Sequence, residues 1–442
     1  MPAEARGLLL EMFHAAVAAA HPSTCLAPHL PPVPAKGRLI VLCAGKAAIA
    51  MASVAEAYYR QAGIGDRLVG VATAPHGYAA AFQGPKPEHM EILEGRHPTP
   101  DASSLAAAER ALALAQSASP EDTVLVLLSG GASALWAAPA AGLDLAEKTA
   151  LTRGLLKSGA DIHEMNVVRR HLSRIKGGRL RAAAAKAGTF ITLAISDVPG
   201  DDSETIGSGP TVPDPTTLAD ARATIARRGP RMAELELPVP SSVHRAIENP
   251  ANETPKPGDA LFSRDRYQII ATPVAALDAA AALARAHGYE VQSLGDQVTG
   301  EARDIAAAHA APAREARAAG RRLAIISGGE LEVTVRNKNG RGGRSQEYAL
   351  ALACALDGLA GVAALAADTD GIDGGDGRIS DPAGAVIGPD TLVRAGECHA
   401  DARKSLDNND ATTLFEALGD LVHTGPTHTN VNDFRVILVE PA

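Results

Sequence analysis

The sequence predicts an α/β protein built as two α/β domains, on three observations. Its 442 residues make two or three folding units of ordinary size, each with ample core. Aromatic residues supply only 3% of the chain while hydrophobic residues reach 46%. The interior must therefore be filled by Ala, Leu, Val and Ile, which suits strand and helix layers packed closely through small side chains. The third observation is a recurring grammar: a short apolar run ends in a polar, Gly-bearing loop that opens an Ala-rich, helix-like stretch, the βα unit. Hydrophobic and charged fractions near those of soluble chains exclude disorder as the general state.

Taken in order, the first segment, MPAEARGLLLEMFHAAVAAAH, carries Glu4 and Glu11 among its apolar residues, where a signal peptide needs an unbroken apolar run after basic residues. Leu8, Leu9, Met12, Phe13, Ala16 and Val17 fall on one side of a helix, free to pack on the second domain. The βα grammar then appears at 38–52, 123–137, 190–202, 322–335 and 361–374. The uncharged run Val124–Leu143 is long enough for a membrane span, but Ser129-Gly130-Gly131 and Pro139 interrupt it and no basic residue flanks it closely. A buried strand followed by a loop and a helix is the reading, with no membrane association. Five prolines, 238, 240, 250, 255 and 257, mark a break. It divides an N-terminal domain (1–238) from a C-terminal domain (259–442) through a Pro-rich linker (239–258), and a cleft between two such domains is a usual home for small ligands.

Composition also narrows function. A formal charge of −9 lacks the electrostatic footprint that nucleic-acid binding needs. Cys25, Cys43, Cys354 and Cys398 are far apart, with no C-x-x-C pair. Neither a disulfide framework nor a structural zinc site is indicated, and a cytoplasmic location fits.

The distinctive residues sit where strands end, which is where open α/β sheets bind ligands. Lys46 follows the apolar run RLIVLCAG and precedes a helix-like stretch, so its ammonium stands near a helix N-terminus that attracts anions; a solvated surface lysine is the other reading. The complete P-loop pattern is not met. Ser129, Gly130, Gly131 and Ser133 form a small-residue turn whose N–H groups can converge on an anion, although such loops are also ordinary turns. A second SGG, with Gly328 and then Glu330, closes a later strand. The most basic stretch, 166–179, interleaves Asn166, Arg169, His171 and Lys176 with apolar residues, a partly packed element with charges aimed at something. Asp197 heads one acidic loop, and Asp368, Asp370, Asp373 and Asp376 form another. Such loops hold a divalent ion or a general base, or simply turn the chain; the calcium-loop spacing is not satisfied. Gly342, Gly343 and Arg344, followed by Glu347 at a helix start, suit a phosphate clamp with planar donors. Asn432 lies in a polar loop before the last strand.

Together, AGKAA (44–48), LLSGGASAL (127–135), NVVRRHLSRIKGGRL (166–180), ISDVPGDDSETIGSGPTVPDPTT (195–217), ISGGE (326–330), GRGGRSQEYALALA (340–353), DTDGIDG (368–374) and GPTHTNVNDFRV (425–436) resemble the glycerate 2-kinase family of the MOFRL type, whose members have often been labelled hydroxypyruvate reductases. The resemblance runs through nearly the whole chain. It implies ATP-dependent phosphorylation of D-glycerate to 2-phosphoglycerate with Mg²⁺, in a cleft between a Rossmann-like N-terminal domain and a domain containing the MOFRL region, about 322–436. Ser345 and His428 depart from the family pattern, where Asn and Gly are expected. Lys46 and Arg344 would neutralise the transferring phosphoryl group. Asp370 or Asp197 would orient the glycerate hydroxyl or hold Mg²⁺, and the remaining candidates would bind phosphate or substrate. The small-molecule partners expected are glycerate and ATP; a homodimer is admitted, since the sequence does not fix oligomeric state. Two rivals remain. An NAD(P)H-dependent hydroxypyruvate reductase needs a dinucleotide fingerprint, and Gly207-Ser208-Gly209 lacks the third Gly and follows an acidic loop rather than a strand. A non-enzymatic sugar-phosphate-binding module would not need the two acidic loops.

Overall fold

The computed structural model describes residues 3–375 and 377–441; Asp376 lies outside the described residues. The chain forms two compact units, one of residues 26–270 and one that joins the first 25 residues to the chain from 271 onward.

In the 26–270 unit six strands form one sheet: β1 (Leu39–Ala44), β2 (Leu68–Pro75), β3 (Met90–Gly95), β4 (Thr123–Leu128), β5 (Thr189–Ile195) and β6 (Arg266–Ala271). Their order is β3-β2-β1-β4-β5-β6, that of doubly wound sheets. β1 pairs in parallel with both β2 and β4, in the registers Leu39 to Leu68 and Leu39 to Thr123. The runs LIVLCA and TVLVLL are buried at every position, as strands covered on both faces must be. Small side chains let the cover approach: the helix Ala102–Gln116 presents Ala107, Ala108, Ala111 and Ala115 to the sheet, and Asp101 opens it with a capping box to Ser104. Because β1 and β4 lead their chains to opposite sides of the sheet, a crevice opens at their carboxyl ends.

The Pro-rich run does not separate the units. Residues 239–258 belong to the 26–270 unit, where Val243 and Ile247 join a core with Leu151, Leu155, Val168 and Met232. Asp214 donates its N–H to the Pro255 carbonyl (2.9 Å) and accepts from the Thr254 hydroxyl (3.1 Å). The boundary therefore falls at 270/271, not at 238–258. Prolines mark turns by lacking a donor, but the apolar residues between them decide where the run packs.

The second unit carries β7 (Glu290–Ser293), β8 (Leu323–Ser327), β9 (Val362–Asp368), β10 (Gly384–Ile387), β11 (Leu421–Val422) and β12 (Asp433–Val439), in the order β11-β10-β9-β12-β8-β7. In this sheet β12 runs antiparallel to β9 and β8, while β7 and β8 pair in parallel; Gly300–Glu301 and Leu331–Glu332 form a separate two-stranded parallel pair. The helix Ala302–Ala318 buries Ala302, Ala306, Ala310, Ala313 and Ala316, a stripe at helical period. The N-terminal helix Ala3–Ala20 belongs to this unit and buries Leu8, Leu9, Met12, Phe13 and Ala16, with the Phe13 ring 6.2 Å from that of Phe434. No helix among the described residues is long and apolar enough to cross a membrane, and Val124–Leu128 lies within β4.

At the crevice the loops after β1 and β4 leave no space for a side chain at Gly45: with φ +126°, a Cβ there would stand 2.1 Å from Ser129 Oγ. Gly45→Ala should lose more than the about 1–3 kcal/mol that the backbone conformation alone costs. Gly229→Ala, in a helix of the same unit with an ordinary contact, should hold or gain stability. Urea unfolding of both variants checks this; equal midpoints would refute the steric argument.

Candidate active site

Three hydrogen bonds interlock the two loops at the crevice. Ser129 donates its N–H to Ala44 O (3.0 Å) and accepts the Ala47 N–H on Oγ (2.9 Å), while the Lys46 N–H reaches Gly130 O (2.9 Å). Ser129 and Gly130 are thus buried fasteners. Lys46 is half-buried, and a Cβ on Gly131 would stand 3.6 Å from its Cγ and 3.2 Å from the His97 ring.

From Gly131 a cavity of about 570 Å³ opens at the carboxyl ends of β3 and β4. Ser133, Arg169 and Lys176, three of the residues expected to bind anions, line it, and so do Lys148 and Arg153. Among the described residues, no Asp or Glu lines it. Lys176 Nζ rests on the Ser133 carbonyl (2.5 Å) and hydroxyl (3.0 Å), and Lys148 Nζ on the Leu172 carbonyl (2.8 Å). Both lysines are buried, and their partners are neutral oxygens. Burial pushes the Lys148 ammonium down to about 7, aided by repulsion from Arg169, Arg174 and Arg179. Burial, then Lys148 and Arg169, pushes Lys176 well below its ordinary value, and burial lowers Arg169. Buried cations without counter-charges are costly, and an anion in the cavity would supply the missing charge.

Two residues of the basic stretch are not in that wall. His171 is fully buried, with Nδ1 at 2.8 Å from Val167 O and Nε2 at 3.1 Å from Glu253. It pins the run 250–255 instead of facing a ligand. Asn166 is also buried, at the end of a chain that runs through the Ser208 hydroxyl (3.5 Å) to that of Ser133 (2.9 Å).

In the other unit the sequence-predicted clamp is reversed in sign. Arg344 begins the helix Arg344–Leu356, and its guanidinium meets Asp433 (2.8 Å), Asp368 (2.7 Å) and Glu330 (3.1 Å). Burial opposes its charge, but Asp433, Asp368 and Glu330 outweigh that and hold it well above its ordinary value. Asp433 is shared with Arg435 (3.1 Å), which is buried and also donates to Ser327 Oγ and Gly328 O. Asp373 accepts the N–H groups of Ser345 (3.0 Å) and Gln346 (2.8 Å), occupying the helix N-terminus that the sequence offers to phosphate. Gly343 is required there, since a Cβ would stand 2.2 Å from Asp373 O. Gly342, Gly343, Arg344 and Glu347 line a second cavity of about 330 Å³; Glu347 within it is already bonded to Arg303 (2.7 Å) and Asn409 (3.0 Å). Asn432, at φ +66°, is buried with Nδ2 lacking a hydrogen-bond partner.

Asp197 is half-buried just beyond β5, and Asp370 is buried just beyond β9. Asp370 accepts the Ile372 N–H (2.7 Å) on one oxygen and donates its own N–H to Asp368 (3.0 Å). Neither joins a group of three metal-ligating side chains among the described residues. The group that does form, Glu56, Glu88 and His89, is a fastener: Glu56 accepts the N–H groups of Glu88 (2.7 Å) and His89 (3.0 Å).

The chain is similar to known proteins. Residues 8–248 match a domain of unknown function, DUF4147, and residues 323–433 match the MOFRL family. The D-glycerate 2-kinase of Thermotoga maritima is 36% identical over 99% of both chains. The crystal structure of a glycerate kinase from that organism superposes with a TM-score of 0.84, covering 99% of this chain and all of that one. The chain belongs to the glycerate 2-kinase family. An Agrobacterium vitis protein, 45% identical over 98% of this chain and 94% of its own, carries a provisional name as a hydroxypyruvate reductase.

Sequence reasoning about this family member missed Lys148. The signal was present: Lys148 shares a helix face with Leu151 and Leu155, a charge within an apolar stripe. Its burial has a pH consequence. A lysine near 7 when folded and near 10.4 when unfolded is charged in both states below pH 7, but between these values the unfolded chain binds the extra proton. Stability should therefore rise with pH from 7 to 9, by on the order of 2 kcal/mol from this residue. Urea unfolding should show that rise diminished in Lys148→Met; parallel pH curves would place the proton elsewhere.

Proposed function

We propose that this enzyme transfers the γ-phosphoryl group of ATP to the 2-hydroxyl of D-glycerate, giving 2-phosphoglycerate. The observation that carries this reading is the cation-walled cavity beyond the carboxyl ends of β3 and β4, in a chain that matches a D-glycerate 2-kinase over 99% of both lengths. Phosphoryl transfer asks for anion-binding groups, a divalent ion and an orienting carboxylate, with little covalent machinery. Lys46, held at the β1 end by the Ser129 interlock, supplies positive charge preorganised for the phosphoryl group. A unit charge at about 4 Å is worth on the order of 4 kcal/mol at an effective dielectric near 20. Asp197 or Asp370 would hold Mg²⁺, which would supply positive charge against that of the phosphates. The donors fit in kind, since Mg²⁺ uses one or two carboxylates and leaves the rest of its shell to phosphates and water, and Asp197 and Asp370 each stand at a strand end. The reductase reading gains nothing: the loop after β1 reads Gly45-Lys46-Ala47-Ala48-Ile49-Ala50, without the second and third glycines of a dinucleotide fingerprint. A cytoplasmic location and a homodimer belong to the same proposal.

The test is ADP release with D-glycerate and Mg-ATP, with the product isomer identified by NMR. Glycerate should strongly raise nucleotide turnover over the basal rate; hydroxypyruvate-dependent NADH oxidation without ADP would overturn the assignment. Lys46→Ala should fold and lose kcat several hundred-fold, about 2.7–4 kcal/mol for one preorganised charge. Arg344→Lys should also impair turnover, because an ammonium cannot meet three carboxylates with a planar fork. Wild-type rates in either variant would remove that residue from the machinery.

A further inference from the structure

Lys148 has no place in the candidate set read from the sequence, yet it is the cavity's second buried ammonium. The groups facing the cavity are unusual in combination. Lys148 and Lys176 are buried, Arg169 is half-buried, and none of the three has a carboxylate partner. Their hydrogen bonds run to the Leu172 carbonyl and to Ser133, which leave the charges uncompensated. Elsewhere the same unit pairs its buried cations: Arg170 is bonded to Asp214 (3.0 Å) and Arg181 to Asp265 (2.6 Å). Among the described residues of this unit, the fully buried lysines and arginines without a carboxylate partner are Lys148 and Lys176, and both line the cavity. A magnesium-bound polyphosphate would want at least one carboxylate beside it for the ion, and this wall has none. A metal-free acid with a carboxylate, which gains a phosphate at the next carbon, suits three cations and the Ser133 hydroxyl.

We propose that this cavity is the acceptor subsite and that Lys148, with Lys176 and Arg169, is a specificity-determining residue that holds the carboxylate of glycerate and the charge of its phosphorylated product. The proposal rests on the kinase reading above. Because burial and the neighbouring cations hold Lys148 near neutrality, an arriving anion draws a proton onto it, so binding and proton uptake are coupled.

The decisive comparison uses the full-length wild type and Lys148→Met, which keeps the stem and removes the charge. Steady-state kinetics should show the KM for glycerate raised at least about tenfold with the KM for ATP within about twofold. Calorimetry with 2-phosphoglycerate, without nucleotide or Mg²⁺, should show affinity weakened by a similar factor. Titrations at pH 8 in two buffers of different ionisation heat should show proton uptake in the wild type and its loss in the variant. A raised KM for ATP with unchanged 2-phosphoglycerate binding would overturn the proposal in favour of a polyphosphate subsite. Unchanged values throughout would make Lys148 an internal structural group. Should Lys148→Met not fold, Arg169→Gln at the less buried cation should likewise raise the KM for glycerate and weaken 2-phosphoglycerate binding with the KM for ATP held, while the proton uptake, which belongs to Lys148, persists; unchanged glycerate and 2-phosphoglycerate values there would overturn the proposal. If the wild type releases no ADP with glycerate, the kinase reading fails separately; binding of 2-phosphoglycerate that Lys148→Met abolishes would still establish the anion subsite.

Discussion

The feature on which the candidate site depends is the fastening of the loop after β1 to the loop after β4. It exists because Gly45 lacks a side chain and Ser129 turns its hydroxyl inward, where it takes the Ala47 N–H. Two adjacent parallel strands ending in register would otherwise carry their loops apart, since the chain turns to opposite faces of the sheet at this point. The fastener sets the turn that carries Gly131, which stands close to Lys46 and His97 and lines the cavity. Three hydrogen bonds worth about 1 kcal/mol each thus have a positional effect larger than their energy.

The two units handle charge in opposite ways. Around the cavity, positive groups lack acids, and burial lowers their affinity for protons. At the head of the helix Arg344–Leu356, acids outnumber bases: the carboxylates of Asp368, Asp433 and Glu330 surround Arg344, and Arg435 adds only one further positive charge. A guanidinium so placed stays charged and fixed in direction, which a solvated arginine would not. The first environment is ready for a bare anion, whereas the second already contains its counter-ion.

This contrast explains what the sequence could and could not disclose. All five strands announced by the βα grammar are present, as β1, β4, β5, β8 and β9, because a continuous apolar run with a Gly-bearing end leaves few other local structures. Ser133, Arg169 and Lys176 line one cavity. The boundary at 239–258 misled because proline content reports turns, and only the burial of Val243 and Ile247 assigns the run to a core. His171 misled because a basic stretch says nothing about which of its members faces inward.

Arg344 shows the deeper limit. Glycines followed by arginine at a helix start look like a phosphate clamp, and that inference counts donors. Whether donors are available depends on acceptors brought from distant positions: Asp433 lies 89 residues from Arg344 and Asp368 lies 24 away. Asp373, from the same β9 loop, takes the helix N–H groups that a phosphate would have used. Local sequence records the supply of positive charge at this helix, but the demand for it is set by tertiary structure. The same reasoning runs the other way at Lys148, where an unremarkable lysine in an apolar stripe becomes significant because no acid was brought to meet it. On the proposed reading, Lys148 and Lys176 are set apart from Arg344 by whether the fold brings an acid to them, a property that no single segment contains.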